Sequence, residues 1–484
     1  MLNSQVSHRF LLVRPDAIGD VCLMIPMLNS LKKTFPNAKI YTLQQSYTEA
    51  ILNDHPSVSK VLTFKKNTSF FQKVEMIKSY QFSAVIFSYF ELDYAVLMWA
   101  ARIPIRIGDK NKLGLRFLLT HPVKQNFRNL MRHETEHNTD LLFPLCATIS
   151  VSNDMNVMVK DSAKEEAKSI LLKHGWDNSL PLICIHPTTG GGNRAWLPQK
   201  YAEMIQEVIK RQLGMIVLTG SGEKDTAFVQ KIMDQCKSKN VVSLVGKTSV
   251  DCLKGLLSLS NVVVGTDTGP THIAAGLKRP VVIISPTKFV KSLRWGPWGT
   301  VNEIIGNPGS CPFVCNPYKC RHTNCLDAIE IRDVCDAIQK LLHSPVKCET
   351  NKKNWFKSST NLACLITTPN SIKKAKNWLD LAKREGINVS CITQSKVIYG
   401  TLLNQRSYSV KKVSLLNIIS IVSFLAKKDI TMIHVFGSRK YMAWLSFIRQ
   451  CVAPFIYCPP IIIHESQNQG LKPISLYAKL FLNE

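Results

Sequence analysis

The stretch NVVVGTDTGPTHIAAG, residues 261–276, passes from an apolar run into glycines, threonines, an aspartate, a proline and a histidine, then into alanines. A surface turn needs only one or two special residues. So many hydroxyl, carboxylate and imidazole groups in one loop imply chemistry beyond turning the chain. The valines read as the end of a strand. Pro270 suits a first helical turn, where its missing N–H costs nothing, and Thr268 is placed to be the N-cap. Such a loop aims free backbone N–H groups into the space beyond a strand's C-terminal edge, where open α/β sheets bind ligands. Thr268, Gly269 and Pro270 therefore form a candidate seat for a diphosphate. Asp267 would repel that anion if it pointed inward, so it is expected to tie loop amides or a sugar hydroxyl. His272 is a candidate donor to a phosphate oxygen. The competing reading is a well-capped turn with a satisfied histidine.

Working outward, the chain alternates strand-like and helix-like segments, which predicts mostly parallel sheets. In the N-terminal part RFLLVR, AKIYTL and SAVIFSYF read as strands, DVCLMIPMLNSLKKTF and HETEHNTDLLFPL as helices. A second series runs through PLICIHP, GMIVLTG, VVSLVG, NVVVGT and RPVVIIS, the last two being its final expected strands. A third begins after KCETNKKNWFKSS, with LACLITT, NVSCIT, TMIHVFG and the apolar FIYCPPIIIHES. The expected domains are 1–175, 176–345 and 355–484: two Rossmann-like domains side by side with a cleft between, then a partial α/β piece.

Other loops carry candidate chemistry. RPDAIGDVCLMIPML places Gly19 for tight approach and Asp20 at a helix start. Asp16 and Asp20 are each candidate N-caps, or one faces the cleft as a general base. A dinucleotide fingerprint needs GxGxxG and this loop has one glycine, so NAD is disfavoured. VGKTS fails as a P-loop, because Val241 stands where the first glycine belongs. HPTTGGGNRAW offers the hydroxyls of Thr188 and Thr189, three glycines and Arg194, a cation able to neutralise a leaving diphosphate. The alternative is a solvated loop. In TGSGEKD, Glu223 either accepts from ribose hydroxyls or merely starts a helix. Cys311, Cys315, Cys320 and Cys325 fall within 15 residues, with His322 among them. Their spacing is not the paired CxxC of zinc ribbons, so free or redox-labile thiols are expected and zinc is the alternative.

Composition sets outer limits. With 484 residues, two or three domains are expected, and 45% hydrophobic residues exclude a disordered chain. The net charge is +27. Residues 346–484 hold 20 Lys and Arg against 6 Asp and Glu, about half of that excess. This balance favours anionic partners such as nucleotides, phosphorylated lipids or anionic membrane surfaces. The opening MLNSQVSHRFLLVRP has no apolar core long enough for a secretory signal. The greasiest run, 413–426, is short of the ~20 residues of a spanning helix. The 15 cysteines are mostly scattered in apolar runs and read as reduced, buried thiols of a cytoplasmic protein.

Taken together, LLVRPDAIGDVCLMIPMLNSLKKTFPNAKI, RIPIRIG, HETEHNTDLL, HPTTGGGNRAWLPQKYAEMI, LVGKTSVDCLKGLLSLSNVVVGTDTGPTHIAAGLKRPVVIISPT and RWGPWG resemble, in order, glycosyltransferase family 9, the bacterial heptosyltransferases of lipopolysaccharide core assembly. The resemblance spans about residues 8–340. It implies a GT-B fold: an acceptor domain over 1–175 and a nucleotide-sugar donor domain over 176–345. It also implies an ADP-heptose donor, a phosphorylated glycolipid acceptor (lipid A–Kdo or heptose-extended core) and inversion at the anomeric carbon without a metal or other cofactor. The enzyme would sit peripherally at the cytoplasmic face of the inner membrane, with no nucleic-acid partner. Asp20 matches the family's proposed base. Arg194 falls where the family places a basic residue near the donor phosphates. Glu223 falls near a ribose or adenine contact, and Asp267, Thr268, Gly269 and His272 match the donor loop. A Cys-rich segment after the last strand is also similar to one in many members. Residues 355–484 lie outside the resemblance and weakly resemble the first domain of a family 4 glycosyltransferase. The rival readings are a transferase of another sugar nucleotide on the same fold, and a catalytically inactive basic membrane-associated scaffold.

Overall fold

The structure, a computed structural model, describes residues 2–111, 116–125, 132–146, 149–189, 195–285, 294–306 and 324–343, and five strands beyond residue 360. The chain divides into two compact units, Met1–Asn351 and Lys352–Glu484.

The first unit holds two six-stranded sheets. One contains β1 (Arg9–Val13), β2 (Lys39–Leu43), β3 (Lys60–Leu62), β4 (Ala84–Phe87), β5 (Ile105–Asp109) and β6 (His121–Val123), in the order β3-β2-β1-β4-β5-β6. All of its pairings are parallel. The other contains β7 (Leu182–His186), β8 (Met215–Leu218), β9 (Val241–Ser243), β10 (Val262–Gly265), β11 (Val281–Ile284) and β12 (Asn302–Ile305), in the order β12-β11-β10-β7-β8-β9 and again parallel. Both have the winding of a dinucleotide-type sheet. The strand order reverses between β1 and β4 in the first sheet and between β7 and β10 in the second. Those two crevices are where such sheets place ligands.

Among the strands of this unit, β3, β5 and β12 were not read from the sequence. β3 and β12 are short edge strands, β3 with Leu62 alone buried and β12 half-buried throughout, and β5 carries arginine and aspartate at half-buried positions. None has the continuous apolar run of β4, β7 or β10, each buried almost throughout. RPVVIIS is therefore not the last strand of its sheet; β12 adds one more edge.

Helices cover both faces of the first sheet. On one side α2 (Phe70–Ser79) and α3 (Leu92–Ala100) bury Val74, Ile77, Ala95 and Met98 against Leu11, Val13, Val85 and Phe87. On the other side lie α1 (Ile18–Thr34) and α4 (Glu134–Asp140). Leu23, Met24 and Leu28 of α1 share one continuous apolar cluster with Leu257 of α8 (Val250–Leu259) and Ile273 and Ala274 of α9 (Gly269–Gly276). The two sheet systems are thus joined through a common core. The alanine and glycine run of α9 permits this, because small side chains let helix axes approach closely. A Cβ on Gly269 would lie 3.0 Å from Ile18 Cβ at the start of α1. Pro26 lies inside α1, where it cannot donate to the Cys22 carbonyl, and the next carbonyl, Leu23, accepts from Asn138 Nδ2 of α4 (3.2 Å).

Lys254 of α8 is fully buried, and its Nζ donates to the Ala50 carbonyl (2.5 Å), in the 3-10 turn Ser46–Ile51, and lies 2.8 Å from Asp251. This is a polar tie between the sheet systems.

The second unit carries a parallel five-stranded sheet, β13 (Asn361–Ile366), β14 (Asn388–Thr393), β15 (Ser409–Lys412), β16 (Met432–Phe436) and β17 (Ile461–His464), ordered β15-β14-β13-β16-β17. Its strand order repeats the winding of the other two sheets. The strand β15 was not anticipated, since SVKK is polar. Among the described residues no helix is long and apolar enough to cross a membrane, and the run 413–426 lies outside them.

Candidate active site

The first crevice is organised by one buried cation. Arg14 follows β1 directly, donates its backbone N–H to Leu43 O, and has a side chain only 4% exposed. Its Nε donates to Asp16 Oδ1 (3.0 Å) and its Nη2 to Asp20 Oδ1 (2.5 Å). Its Nη1 donates to the carbonyl of Ser88, at the end of β4 (2.6 Å), and lies 3.8 Å from Glu134 Oε1. Arg14 therefore spans the point where the strand order reverses. Burial opposes its charge, but Asp16, Asp20 and Glu134 outweigh that and hold its pKa above the ordinary value.

The carboxylates answer the same field. Burial pushes Asp16 up to about 7, against the pull of Arg14 and with repulsion from Asp20. Burial also raises Glu134, although Arg294 and Arg14 both oppose it. Asp16 and Asp20 remain partly open, with side chains 20% and 24% exposed. Neither caps α1. The N-cap is Ala17, without a side-chain bond, and both carboxylates are turned onto Arg14 instead. The capping expectation fails because a buried guanidinium is a stronger partner than a neutral amide.

The second crevice contains the 261–276 stretch. Thr268 is the N-cap of α9, in an extended conformation, with Pro270 in the first turn. Thr268 N–H donates to Thr271 Oγ1 (3.2 Å), and Thr271 Oγ1 donates to Thr266 O (2.8 Å). His272 is buried, and its Nε2 pairs with Asp267 Oδ1 at 2.9 Å. The Asp267 carboxylate meets an imidazole, and that nitrogen of His272 is engaged by the carboxylate instead of facing a phosphate. Nδ1 of His272 has no hydrogen-bond partner among the described residues. The same holds for the buried hydroxyls of Thr266, just after β10, and Thr188, just after the neighbouring β7. Buried polar atoms are usually satisfied, and these three beside one crevice keep hydrogen-bonding capacity that a ligand could use.

Around them, burial pushes His186 down to about 4, leaving a neutral ring within 3.1 Å of Thr219 Oγ1. Glu223 is exposed in the first turn of α7 (Gly222–Met233), which follows β8, the strand on the other side of β7. Thr189 is described, whereas Arg194 and the three glycines before it lie outside the described residues. So do Cys311, Cys315, Cys320 and His322; Cys325 is described as a free, half-buried thiol. Among the described residues no His, Cys, Asp and Glu group has the arrangement of a metal site.

The two crevices meet. Gly19, one residue before Asp20, lies under the His272 ring, where a Cβ would come within 2.7 Å of Cδ2. The start of α4 is docked across the same junction. Its N-cap His133 places Nε2 2.9 Å from Gly296 O and its ring 4.5 Å from that of Trp298, while Arg294 reaches Glu134. Arg14, Glu134 and Arg294 were not singled out as site residues, although their segments were quoted. The signal available was an arginine closing the apolar strand RFLLV; two of its partners, Ser88 and Glu134, are 74 and 120 residues away in sequence.

The arrangement supplies carboxylates on one side of the junction, and a helix N-terminus with unpartnered polar atoms on the other. The family model described as glycosyltransferase family 9 (heptosyltransferase) matches residues 70–325. Lipopolysaccharide heptosyltransferase 3 of Escherichia coli (strain K12) is 26% identical over 339 residues, covering 67% of this chain and 95% of its own. Among solved structures, the glycosyl transferase family 9 protein of Veillonella parvula DSM 2008 superposes with a TM-score of 0.60 at 18% identity, covering 69% of this chain and 97% of its own. The E. coli ADP-heptose lipopolysaccharide heptosyltransferase II does so with 0.57 at 18%, covering 69% and 98%. The two parallel sheets with their helices are a GT-B fold, and the chain belongs to glycosyltransferase family 9, the heptosyltransferase family, as a transferase.

Proposed function

We propose that this enzyme transfers a heptose from ADP-heptose to the inner core of lipopolysaccharide, either lipid A–Kdo or a heptose already attached, with inversion at the anomeric carbon. The observation that carries the reading is the junction of Gly19 and His272, which sets the carboxylate loop of the first sheet against the α9 N-terminus of the second. The similarity to lipopolysaccharide heptosyltransferases supports the choice of sugar and acceptor.

In this reading residues 1–175 receive the acceptor and 176–345 the donor. Asp20 takes the proton of the incoming hydroxyl. The ADP diphosphate lies against the first turn of α9, at Thr268, Gly269 and Pro270, favoured by the helix dipole. Thr188, Thr189 and the free side of His272 complete its hydrogen bonds, with Asp267 fixing the imidazole. Glu223 binds the ribose or base, and Arg194 neutralises the leaving diphosphate. These groups are sufficient for charge balance without a metal. The basic chain works peripherally at the cytoplasmic face of the inner membrane, and residues 355–484 serve as a docking or membrane-surface module.

The test is incubation of the purified protein and a truncated lipopolysaccharide acceptor with ADP-heptose, UDP-sugars and GDP-sugars in parallel. Release of ADP only with ADP-heptose, together with a heptose-sized mass gain on the acceptor, supports the reading. Turnover of a UDP- or GDP-sugar instead overturns it.

A further inference from the structure

Glu134 joins the two halves of the site through charge. It is the first residue of α4 and is buried, 5% exposed. One oxygen, Oε2, accepts from both Nε (3.0 Å) and Nη2 (2.8 Å) of Arg294, which lies between β11 and β12 of the second sheet. The other oxygen faces Arg14, the guanidinium that holds Asp20. The order Arg294, Glu134, Arg14, Asp20 is therefore an unbroken alternation of charge from one sheet system to the other.

We propose that Glu134 is a positioning residue of the transfer reaction: by binding Arg294 of one half and Arg14 of the other, it ties the orientation of the arginine that holds Asp20 to the meeting of the two halves. This rests on the reading of Asp20 given above.

The physical argument is one of competition. A buried carboxylate must be paired. With Arg294 in place, Glu134 is satisfied at 2.8 Å and leaves Arg14 Nη1 at 3.8 Å, free to donate to the Ser88 carbonyl. Without Arg294, Arg14 is the remaining arginine facing Glu134. Its Nη1 is then drawn from Ser88 toward Glu134, and the same planar fork turns away from Asp20; in E134Q the charge facing this side of the fork is lost, and Asp16 and Asp20 pull the guanidinium the other way. His133 docks the adjoining residue on Gly296 and Trp298, so the start of α4 follows the 294–298 segment as a unit.

The experiment compares wild type, Glu134→Gln, Arg294→Met, Arg294→Lys and the double variant E134Q/R294M. For each, kcat and KM for donor and acceptor are measured with whichever sugar nucleotide the wild type turns over, and thermal melts are recorded alongside. Misplacing Asp20 by about 1 Å predicts a ~10–100-fold fall in kcat for E134Q and R294M, with donor KM within about twofold of wild type. The double variant is expected to be no worse than the poorer single, and R294K to recover part of kcat, since it keeps the charge without the fork. Near-wild-type kcat in E134Q, or losses that multiply in the double variant, overturn the proposal. So does a loss that appears in KM and follows the melting temperature. If E134Q does not fold, equal kcat in R294M and R294K is the overturning result. A wild type that turns over no sugar nucleotide removes the functional reading and this inference together; turnover with independent losses removes the inference alone.

Discussion

Gly19 and His272 pack together with room for hydrogen and nothing larger: a Cβ on Gly19 would stand 2.7 Å from His272 Cδ2. The ring cannot retreat freely, because it is buried and its Nε2 is held by Asp267 at 2.9 Å. Gly19→Ala should therefore push the imidazole off its carboxylate or part the two loops. Overpacking of this kind costs about 1–3 kcal/mol. A lower melting temperature together with weaker ADP binding by calorimetry is expected; an alanine variant with unchanged ADP affinity would show that this contact does not shape the donor seat.

Asp20→Asn tests the proton acceptor. The amide keeps the volume and can still bond Arg14, so folding should persist. Loss of a general base predicts a ~10²–10⁴-fold lower kcat with ADP affinity unchanged. A fall of less than about threefold would transfer the role elsewhere.

Asp16 makes a prediction about pH. Its pKa is raised from 3.8 to about 7 by burial. Between those values the folded state binds a proton that the unfolded chain has released. Stability from this group is thus fully present below about 4 and is lost as pH rises through about 7. Asp16→Asn should flatten the decline in melting temperature between pH 5 and 8, and melt higher than wild type at pH 8. An unchanged pH slope would mean that Asp16 is ionised throughout.

The unpartnered Thr188, Thr266 and His272 atoms predict ligand-linked stabilisation. ADP at 100 times its Kd should stabilise the wild type by about 2.7 kcal/mol, whatever the sugar. Thr188→Val and His272→Ala should bind ADP more weakly and so shift less at the same ADP concentration. Equal shifts in all three proteins would place the diphosphate away from these atoms.

Lys254→Met leaves the Ala50 carbonyl without its buried donor while keeping most of the side-chain volume. An orphaned buried acceptor costs about 1–3 kcal/mol. Chemical denaturation should show that loss; a stabilised variant would mean that burying the ammonium costs more than its two partners return.

Much of the architecture was legible along the chain. The apolar runs RFLLV, AVIF, LICIH and VVVG are strands at the centres of their sheets, because a strand covered on both faces must be apolar throughout. The edge strands β3 and β12 were not legible, since solvent on one side removes that demand. Thr268 as N-cap followed from local rules alone. The pairing of His272 with Asp267 did not, because a helical turn fixes which residues are neighbours but not which polar group wins a buried donor.

The order of strands and helices, the glycines of the two loops and the alanine-rich α9 are properties of the linear chain: backbone conformation and side-chain size act within a few residues. Which carboxylates meet which cations was decided only by the tertiary structure. Arg14 finds Ser88 and Glu134 because β1 lies beside β4 and α4 packs on α1, and Glu134 finds Arg294 because the two sheet systems share a core. Electrostatic energy depends on distance and burial in space, and sequence separation carries neither.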